Sequence, residues 1–223
     1  MIDISTLNDA QKEAVLTCEG PLLVLAGAGS GKTRVLTYRI AHLVEDCGVA
    51  PWNILAVTFT NKAAREMRDR LSALVPGRLR GMWIYTFHSM CVRILRANAT
   101  VLGYGEDFTI YDSDDSKRLI KDIMADYGYT GRSFSENAIR SRISACKNEL
   151  VSAVDYKPRA HDPLDKATAE VFKAYQQRLK RANAMDFDDL LVNVYLLLSQ
   201  HPDICREYGE RFRYILVDEY QDT

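Results

Sequence analysis

Residues 22–33 read Leu-Leu-Val-Leu-Ala-Gly-Ala-Gly-Ser-Gly-Lys-Thr, an apolar run that leads directly into a glycine-rich turn. The run Leu22–Ala26 predicts a short buried strand. The glycines at 27, 29 and 31 permit backbone conformations that other residues avoid, so successive amides can point inward and cradle phosphate oxygens. In such a loop Lys32 reaches the outer phosphates and Thr33 offers its hydroxyl to Mg²⁺. The stretch therefore predicts a site for ATP or another nucleoside triphosphate, with Mg²⁺.

A helix follows this loop at once, because apolar residues recur on one face at Val35, Leu36, Ile40, Leu43 and Val44. Its N-terminus would point at the phosphates and add its dipole to the loop amides. The first fixed loop position is Ala26, where the strict pattern has glycine, and this small residue leaves room for the same loop geometry. The alternative is a glycine turn with an incidental lysine. The predicted nucleotide-contacting residues of the loop are Ala26, Gly27, Ala28, Gly29, Ser30, Gly31, Lys32 and Thr33.

The composition is that of an ordinary globular chain with room for a full core. The 223 residues are 47% hydrophobic and 26% charged, with a formal net charge of -1. This charge argues against a uniformly basic nucleic-acid binder, although a local groove can still be positive. No apolar run approaches the length of a membrane span, and the first residues lack the features of a signal peptide.

The cysteines and histidines are scattered along the chain. Five cysteines, an odd number, include no C-x-x-C pair, so we expect reduced thiols and a cytoplasmic location. The four histidines are equally dispersed, and the sequence predicts no zinc site.

Short apolar runs alternate with helical patterns, which predicts an α/β fold with a parallel sheet flanked by helices. The predicted strands are Leu22–Ala26, Ile54–Phe59, Trp83–Phe87 and Tyr214–Val217, and helices are predicted over about 61–74 and 89–98. In such a sheet, ligands bind beyond the carboxyl ends of the strands.

Residues 111–183 interrupt this alternation and predict an inserted helical subdomain. Helix starts occur at Asp112-Ser113 and Ser135, and no convincing strand follows them. The predicted organisation is a first part at 1–110, the insertion at 111–183 and a second part at 184–223. Between Arg140 and Arg181 there are ten Lys or Arg and five Asp or Glu. This excess fits either a solvated helix surface or a patch that faces nucleic acid.

Residues 215–219, Ile-Leu-Val-Asp-Glu, form a second chemical landmark, an apolar strand that ends in two acids. Beside a phosphate loop, Asp218 would hold Mg²⁺, usually through water, and Glu219 would polarise the water that attacks the γ-phosphate. The alternative is two acids at an exposed strand end. Lys32, Asp218 and Glu219 are the predicted catalytic residues, and Thr33 and Asp218 the predicted metal ligands.

Six motifs, in this order along the chain, resemble those of the UvrD/PcrA/Rep family of superfamily-1 DNA helicases. They are Leu7-Asn8-Asp9-Ala10-Gln11, the loop 26–33, Thr58-Phe59-Thr60-Asn61-Lys62-Ala63-Ala64, Thr86-Phe87-His88-Ser89, Asp186-Phe187-Asp188-Asp189-Leu190-Leu191 and Val217-Asp218-Glu219-Tyr220-Gln221-Asp222-Thr223. The resemblance implies an ATP-driven motor that moves 3′ to 5′ on single-stranded DNA. It also implies a first RecA-like domain that carries a helical insertion.

The resemblance assigns roles to residues outside the phosphate loop. Gln11 would read the adenine edge, since an amide both donates and accepts, and Arg34 would pack on the adenine face. For both, the alternative is a surface polar residue.

A second group would contact DNA. Phe59 would stack under a base, while Thr60, Asn61 and Lys62 would contact a phosphate at a helix start. Packing of Phe59 in the sheet is the alternative. Phe87 and His88 resemble the next DNA-facing motif, and a buried, hydrogen-bonded histidine is the alternative for His88.

The three acids of the cluster Asp186-Phe187-Asp188-Asp189 could indicate a metal-binding site. Asp186 as the N-cap of the helix that carries Leu190, Leu191, Val194, Leu197 and Leu198 explains it more simply. We therefore predict a helix start there.

The sequence stops at Thr223, directly after the acidic box, so the family's remaining motifs and its second RecA-like domain are expected from the rest of the same polypeptide. Three interpretations stay open. The first is one half of a helicase motor, which binds ATP, single-stranded DNA and single/double-strand junctions but is nearly inactive alone. The second is a fragment of a helicase-nuclease subunit. The third is a nucleotide-gated DNA-binding module without motor activity.

Overall fold

The computed structural model describes residues 1–27, 29–129, 134–159 and 161–222, and only the backbone of Asp222. These residues form two compact units. The first contains residues 1–90 and the segment from Pro202 onward, and the second contains Cys91–His201.

The described regular elements are helices and short strands that alternate along much of the chain. The strands are β1 (Ile54–Thr58), β2 (Trp83–Thr86), β3 (Thr109–Tyr111), β4 (Ala184–Asp186) and β5 (Tyr214–Val217). The α-helices are α1 (Asp9–Leu16), α2 (Lys32–Glu45), α3 (Asn61–Leu74), α4 (Phe87–Asn98), α5 (Ser113–Asp126), α6 (Glu136–Asn148), α7 (Pro163–Arg181), α8 (Phe187–Gln200) and α9 (Pro202–Arg211). Short 3₁₀ helices span Pro51–Asn53, Ala99–Leu102 and Tyr220–Asp222.

The first unit contains a parallel sheet in the order β2-β1-β5. Ala56 in the middle strand is aligned with Ile84 on one side and Leu216 on the other. All five residues of β1 are buried, as expected for the middle strand of a parallel sheet. The predicted strands at 54–59, 83–87 and 214–217 are confirmed to within one residue. The mixed α/β class with parallel strands is likewise confirmed.

The strand predicted over Leu22–Ala26 is wrong. Residues 21–27 have no regular secondary structure, and Leu23 and Leu25 are 65% and 86% exposed. A strand forms only when its backbone pairs with a neighbouring strand, and Leu22–Ala26 does not join the sheet β2-β1-β5. An apolar run indicates a tendency toward burial, but it does not determine whether the run pairs with a strand.

Helices α2 and α3 supply the core against the sheet. Ile40 and Leu43 of α2 and Met67 and Leu71 of α3 are fully buried in one cluster with Ile54. The start of α3 is fixed by Thr60, whose hydroxyl accepts a hydrogen bond from the Ala63 amide at 3.1 Å. The helices predicted after the phosphate loop and over about 61–74 are confirmed, and the one predicted over 89–98 begins two residues earlier, at Phe87.

In the second unit, α5, α6 and α7 pack around a shared apolar core that includes Ile123, Ile139, Phe172 and Tyr175. The predicted helix starts are confirmed, since Asp112 and Ser135 cap α5 and α6. The paired strands β3 and β4 were not predicted, because three residues are too few to show a period. This unit is wider than the predicted insertion at 111–183, which therefore stays a prediction as a separate subdomain.

None of the helices in the described part of the chain combines the length and apolar character needed to cross a membrane.

Candidate functional site

The glycine-rich segment leads directly into α2. Gly31 is the N-cap of this helix with φ of 87°, and Gly29 has φ of 74°, values that favour glycine. Gly31 has no side chain to cap α2, so the first amides of the helix stay available as donors. A Cβ added at Gly27 or Gly29 would have no atom of the other described residues within 4 Å, its chain neighbours aside, which leaves room for a ligand on this side of the loop. Ala28, also predicted to contact the nucleotide, lies outside the described residues.

Two side chains close the loop on itself. Ser30 Oγ donates to the Gly27 carbonyl at 2.7 Å. Lys32 Nζ donates to the carbonyls of Ala26 and Gly27 at 3.2 and 3.3 Å, so the ammonium group folds back over the loop. These carbonyls hold the positive charge of Lys32 on the loop, where an anionic ligand would compete for it.

The loop meets the acidic pair through Thr33 and Asp218. Thr33 Oγ1 donates to Asp218 Oδ2 at 3.2 Å, although the two residues are 185 positions apart in sequence. Asp218 is only 6% exposed, and its amide continues the sheet by donating to the Val57 carbonyl at 2.9 Å. The fold therefore places one hydroxyl and one carboxylate side by side, a pair of oxygen ligands suited to Mg²⁺.

Glu219 has an unusual backbone, with φ of 53°. Its amide donates to Asp218 Oδ1 at 3.2 Å, and its carboxylate accepts a hydrogen bond from Gln221. A left-handed conformation at a non-glycine residue costs free energy and is concentrated at functional sites. Glu219 lies two positions after the end of β5 at Val217.

Gln11 lies against the phosphate loop. Its Nε2 donates to the Ser30 carbonyl at 3.0 Å, and its Oε1 accepts from the Asn8 amide in a capping box at the start of α1. A Cβ at Gly31 would lie 3.2 Å from Gln11 Nε2, which is a tight contact, and the φ of 87° already favours glycine at this position. The spacing Asn8-x-x-Gln11 is a capping-box pattern, so the sequence could have predicted the hydrogen bonds between Asn8 and Gln11 but not the one from Gln11 to Ser30.

Arg34 is exposed and extends along the surface of α2. Its Nη2 donates to Thr6 Oγ1 at 2.6 Å, and its guanidinium carbon lies 5.5 Å from the centre of the Tyr38 ring. Thr6 and Tyr38 thus both lie near this guanidinium. Neither residue was predicted, because no sequence motif marks them.

The candidate DNA-binding residues follow adjacent strands of the sheet. Phe59 comes directly after β1 and Phe87 directly after β2, and the last residues of these strands, Thr58 and Thr86, are aligned. Because Asp218 follows β5, all three lie at the carboxyl edge of the same parallel sheet, where α/β proteins bind ligands.

Phe59 and the start of α3 form an exposed group. Phe59 is 58% exposed, and Thr60, Asn61 and Lys62 are exposed as well. Lys62 Nζ lies 3.9 Å from Glu66 Oε1, and its side chain is 87% exposed. The alternative that Phe59 packs in the sheet core is therefore wrong. Phe87 and His88, by contrast, are half-buried in the first turn of α4.

The cluster at residues 186–189 is a helix start, as predicted. Asp186 caps α8 by accepting from the Asp189 amide at 2.8 Å, and the Asp189 carboxylate accepts from the Asp186 amide at 3.2 Å. Lys147, only 3% exposed, donates to both carboxylates at 2.6 and 2.8 Å. A lysine therefore occupies the place between the two acids. Burial raises the pKa of Asp189, Lys147 lowers it, and Asp186 raises it further.

Several members of the basic excess between Arg140 and Arg181 have acidic partners. Arg142 contacts Asp162 and Asp165, Lys147 is buried as above, and Arg178 pairs with Asp126. These pairs reduce the free positive charge of the segment. The choice between a solvated surface and a nucleic-acid patch stays open for its other basic residues.

Comparison with known proteins identifies close relatives over almost all of the sequence. A family model described as the UvrD/REP helicase N-terminal domain matches residues 7–223. The ATP-dependent DNA helicase PcrA of Leuconostoc citreum is 47% identical over 218 residues, which are 97% of this chain and 29% of that protein. The ATP-dependent DNA helicase PcrA of Staphylococcus aureus is 47% identical over 220 residues, 99% of this chain and 30% of that protein. The chain thus spans about 30% of the length of these relatives.

Proposed function

This chain belongs to the UvrD/REP helicase N-terminal domain family, and we propose that it is the ATP- and single-stranded-DNA-binding part of an ATP-dependent DNA helicase or translocase. The motor moves 3′ to 5′ and serves DNA repair or replication. The observation that carries this proposal is the hydrogen bond between Thr33 and Asp218, which joins the phosphate loop to the acidic pair across 185 positions.

ATP with Mg²⁺ is the proposed cofactor, and the residues at the loop fit it. The uncapped amides at the start of α2, the positive φ of Gly29 and Gly31, and the folded-back Lys32 together provide donors for a triphosphate. Thr33 and Asp218 would hold Mg²⁺, which would neutralise phosphate charge at this site. The loop segment from Ala26 to Thr33 would cradle the phosphates, and Arg34 and Gln11 would contact the adenine.

Glu219 is the proposed residue that orients and polarises the attacking water. Its position next to Asp218 and its strained backbone support this role. Phosphoryl transfer depends on positive charge around the γ-phosphate, and an arginine from outside the P-loop domain is typically worth about 10³–10⁵ in rate. We propose that a second RecA-like domain in the rest of the same polypeptide supplies it, and that residues 1–223 alone turn over ATP slowly.

The proposed DNA path crosses the carboxyl edge of the sheet. Phe59 stacks on a base, since stacking needs no particular sequence, and the start of α3 with Lys62 contacts a phosphate. Phe87 and His88 extend this surface from the next strand. The substrate is single-stranded DNA and its junctions with duplex DNA.

The proposed architecture is a RecA-like domain with a helical subdomain at 111–183. The β2-β1-β5 parallel sheet and the three helices α5, α6 and α7 support it. The scattered free cysteines favour a reducing, cytoplasmic location.

Calorimetric titration of Mg-ATP into the 223-residue chain tests the nucleotide site. Lys32→Ala should weaken binding by roughly 1–3 kcal/mol, the range of a charge-assisted hydrogen bond. Lys121→Ala, which removes an exposed lysine of the second unit, is the matched control and should bind as the wild type does. Equal affinity of the wild type and Lys32→Ala would contradict the assignment.

A further inference from the structure

Three side chains that bind soft metals converge at the end of α2 farthest from the phosphate loop. Cys18 follows α1, His42 lies in the last turn of α2, and Cys47 comes two residues after that helix. Cys47 Sγ lies 3.6 Å from Cys18 Sγ and 3.5 Å from His42 Nε2. The three ligand atoms all lie within 4.8 Å of one another. The fold thus gathers residues that looked dispersed in the sequence.

Two of the three separations match those of a tetrahedral zinc site, and the third, between Cys18 Sγ and the His42 ring, is within 4.8 Å. Zn–S bonds of about 2.3 Å and Zn–N bonds of about 2.05 Å, at a tetrahedral angle of about 109°, place two sulfurs about 3.8 Å apart. The same geometry places a sulfur and a nitrogen about 3.6 Å apart. The two observed separations, 3.6 and 3.5 Å, agree with these values to within about 0.2 Å.

The second ring nitrogen of His42 is also engaged. His42 Nδ1 lies 2.7 Å from Asp46 Oδ2, and Asp46 in turn accepts from the Ile2 amide at 3.1 Å. The terminal amine of Met1 lies 3.3 Å from Asp46 Oδ1. A carboxylate that accepts from one ring nitrogen leaves the lone pair of the other free to bind a metal. Asp46 therefore orients His42 so that Nε2 faces the thiol of Cys47.

We propose that Cys18, His42 and Cys47 bind one Zn²⁺ ion, with a water molecule as the fourth ligand. Two thiolates balance the charge of the ion, and their formation releases up to two protons as the metal binds. The three side chains are half-buried or exposed, so the ion can enter from solvent. A disulfide between Cys18 and Cys47 is the competing use of these thiols, but it gives no role to the oriented His42.

The ion would link the end of α1 to the end of α2 and would not contact the nucleotide. A helix of 14 residues is about 21 Å long, so the ion and the phosphate loop lie at opposite ends of α2. Because α1 carries Gln11 and α2 begins with Lys32, the metal secures two helices that support the loop. This site stands independently of the proposed nucleotide and DNA functions.

Titration with Co²⁺, a spectroscopic substitute for Zn²⁺, tests the proposal on the reduced 223-residue chain. Any tag belongs at the C-terminus, because the amine of Met1 contacts Asp46. We expect one equivalent of Co²⁺ to give tetrahedral d–d absorption and thiolate charge transfer, and Zn²⁺ to displace it. Cys18→Ser, Cys47→Ser and His42→Ala should abolish this spectrum.

Matched variants show whether the spectrum arises from these three ligands. Cys205→Ser removes an exposed cysteine of α9 and should leave the spectrum unchanged, as should Lys32→Ala in the phosphate loop. Asp46→Asn keeps all three ligands and should weaken Co²⁺ affinity about 10- to 100-fold. This variant also keeps the test decisive if a ligand variant folds poorly.

A Co²⁺ spectrum without thiolate charge transfer, or one that persists in Cys18→Ser, would overturn the proposal. So would a reduced protein that binds no Co²⁺ while its oxidised form contains a Cys18–Cys47 disulfide. Unchanged affinity in Asp46→Asn would overturn the orienting role of Asp46.

Discussion

Phe59→Ala should weaken single-stranded DNA binding much more than it destabilises the fold. Phe59 is 58% exposed, so less than half of its surface is removed from water. Complete burial of a phenylalanine contributes about 1.5–3 kcal/mol, and truncation here should therefore cost roughly 1 kcal/mol of unfolding free energy. A fully buried phenylalanine would cost about 3–5 kcal/mol. Loss of a stacked base should cost about 1–3 kcal/mol, which weakens DNA binding roughly 5- to 150-fold.

The assay pairs fluorescence anisotropy of a labelled oligothymidine with urea unfolding of the same samples. Phe59→Tyr keeps an aromatic face and should bind DNA nearly as the wild type does. Trp52→Ala is the matched control, since Trp52 is a second exposed aromatic residue, 54% exposed, in the same unit. Wild-type DNA affinity in folded Phe59→Ala would refute the stacking role, and a destabilisation above about 3 kcal/mol would refute the surface position.

Two further predictions concern strain and a buried charge. Glu219→Gly should raise the unfolding free energy by up to about 1 kcal/mol, because glycine adopts a positive φ without strain. If urea unfolding shows instead that this variant loses more than about 1 kcal/mol, the backbone at Glu219 is not strained. Glu219→Gln should keep the affinity for Mg-ATP to within about 0.5 kcal/mol. Lys147→Met should lower the unfolding free energy by about 3–5 kcal/mol near pH 7, because it leaves two buried carboxylates without their cation. The matched control Lys173→Met, on the surface, should change the unfolding free energy by less than about 0.5 kcal/mol. Burial already raises the pKa of Asp189, and Lys147→Met removes the cation that lowers this pKa. The unfolding free energy of Lys147→Met should therefore fall as the pH rises through the pKa of Asp189 and recover in acid. Urea midpoints of the variant that show no such pH dependence relative to the wild type would contradict this cause.

The sequence predicted those elements whose pattern is complete within a single segment. The run Ile54–Val57 is apolar throughout because β1 is buried between two strands, and α3 shows its period over 14 residues. Caps such as Thr60 and Asp186 were recognisable because they bond to amides within three residues. Leu22–Ala26 is as apolar as the buried part of β1 but pairs with none of the described strands, and the choice of strand partners depends on the whole fold.

The sequence was least able to predict the contacts that join residues far apart in the chain. The motifs predicted that Asp218 belongs with the phosphate loop, and in the structure Asp218 Oδ2 lies 3.2 Å from Thr33 Oγ1. The chemical roles of Thr33 and Asp218 stay predictions. Cys18, His42 and Cys47 were interpreted as dispersed, since their spacings of 24 and 5 residues match no metal-binding motif. Lys147 was counted as part of a basic surface, because composition cannot reveal that a lysine is buried between two acids.

The Mg²⁺ dependence of ATP binding tests most directly whether Thr33 and Asp218 form one site with the phosphate loop. ATP is titrated calorimetrically into the wild type, Asp218→Asn and the surface control Asp69→Asn, each with Mg²⁺ and with a chelator. The wild type and Asp69→Asn should bind ATP more tightly with Mg²⁺. Asp218→Asn should lose most of that gain yet bind metal-free ATP as the wild type does, because Lys32 and the loop amides are unchanged. An equal gain from Mg²⁺ in Asp218→Asn and the wild type would contradict the proposed site.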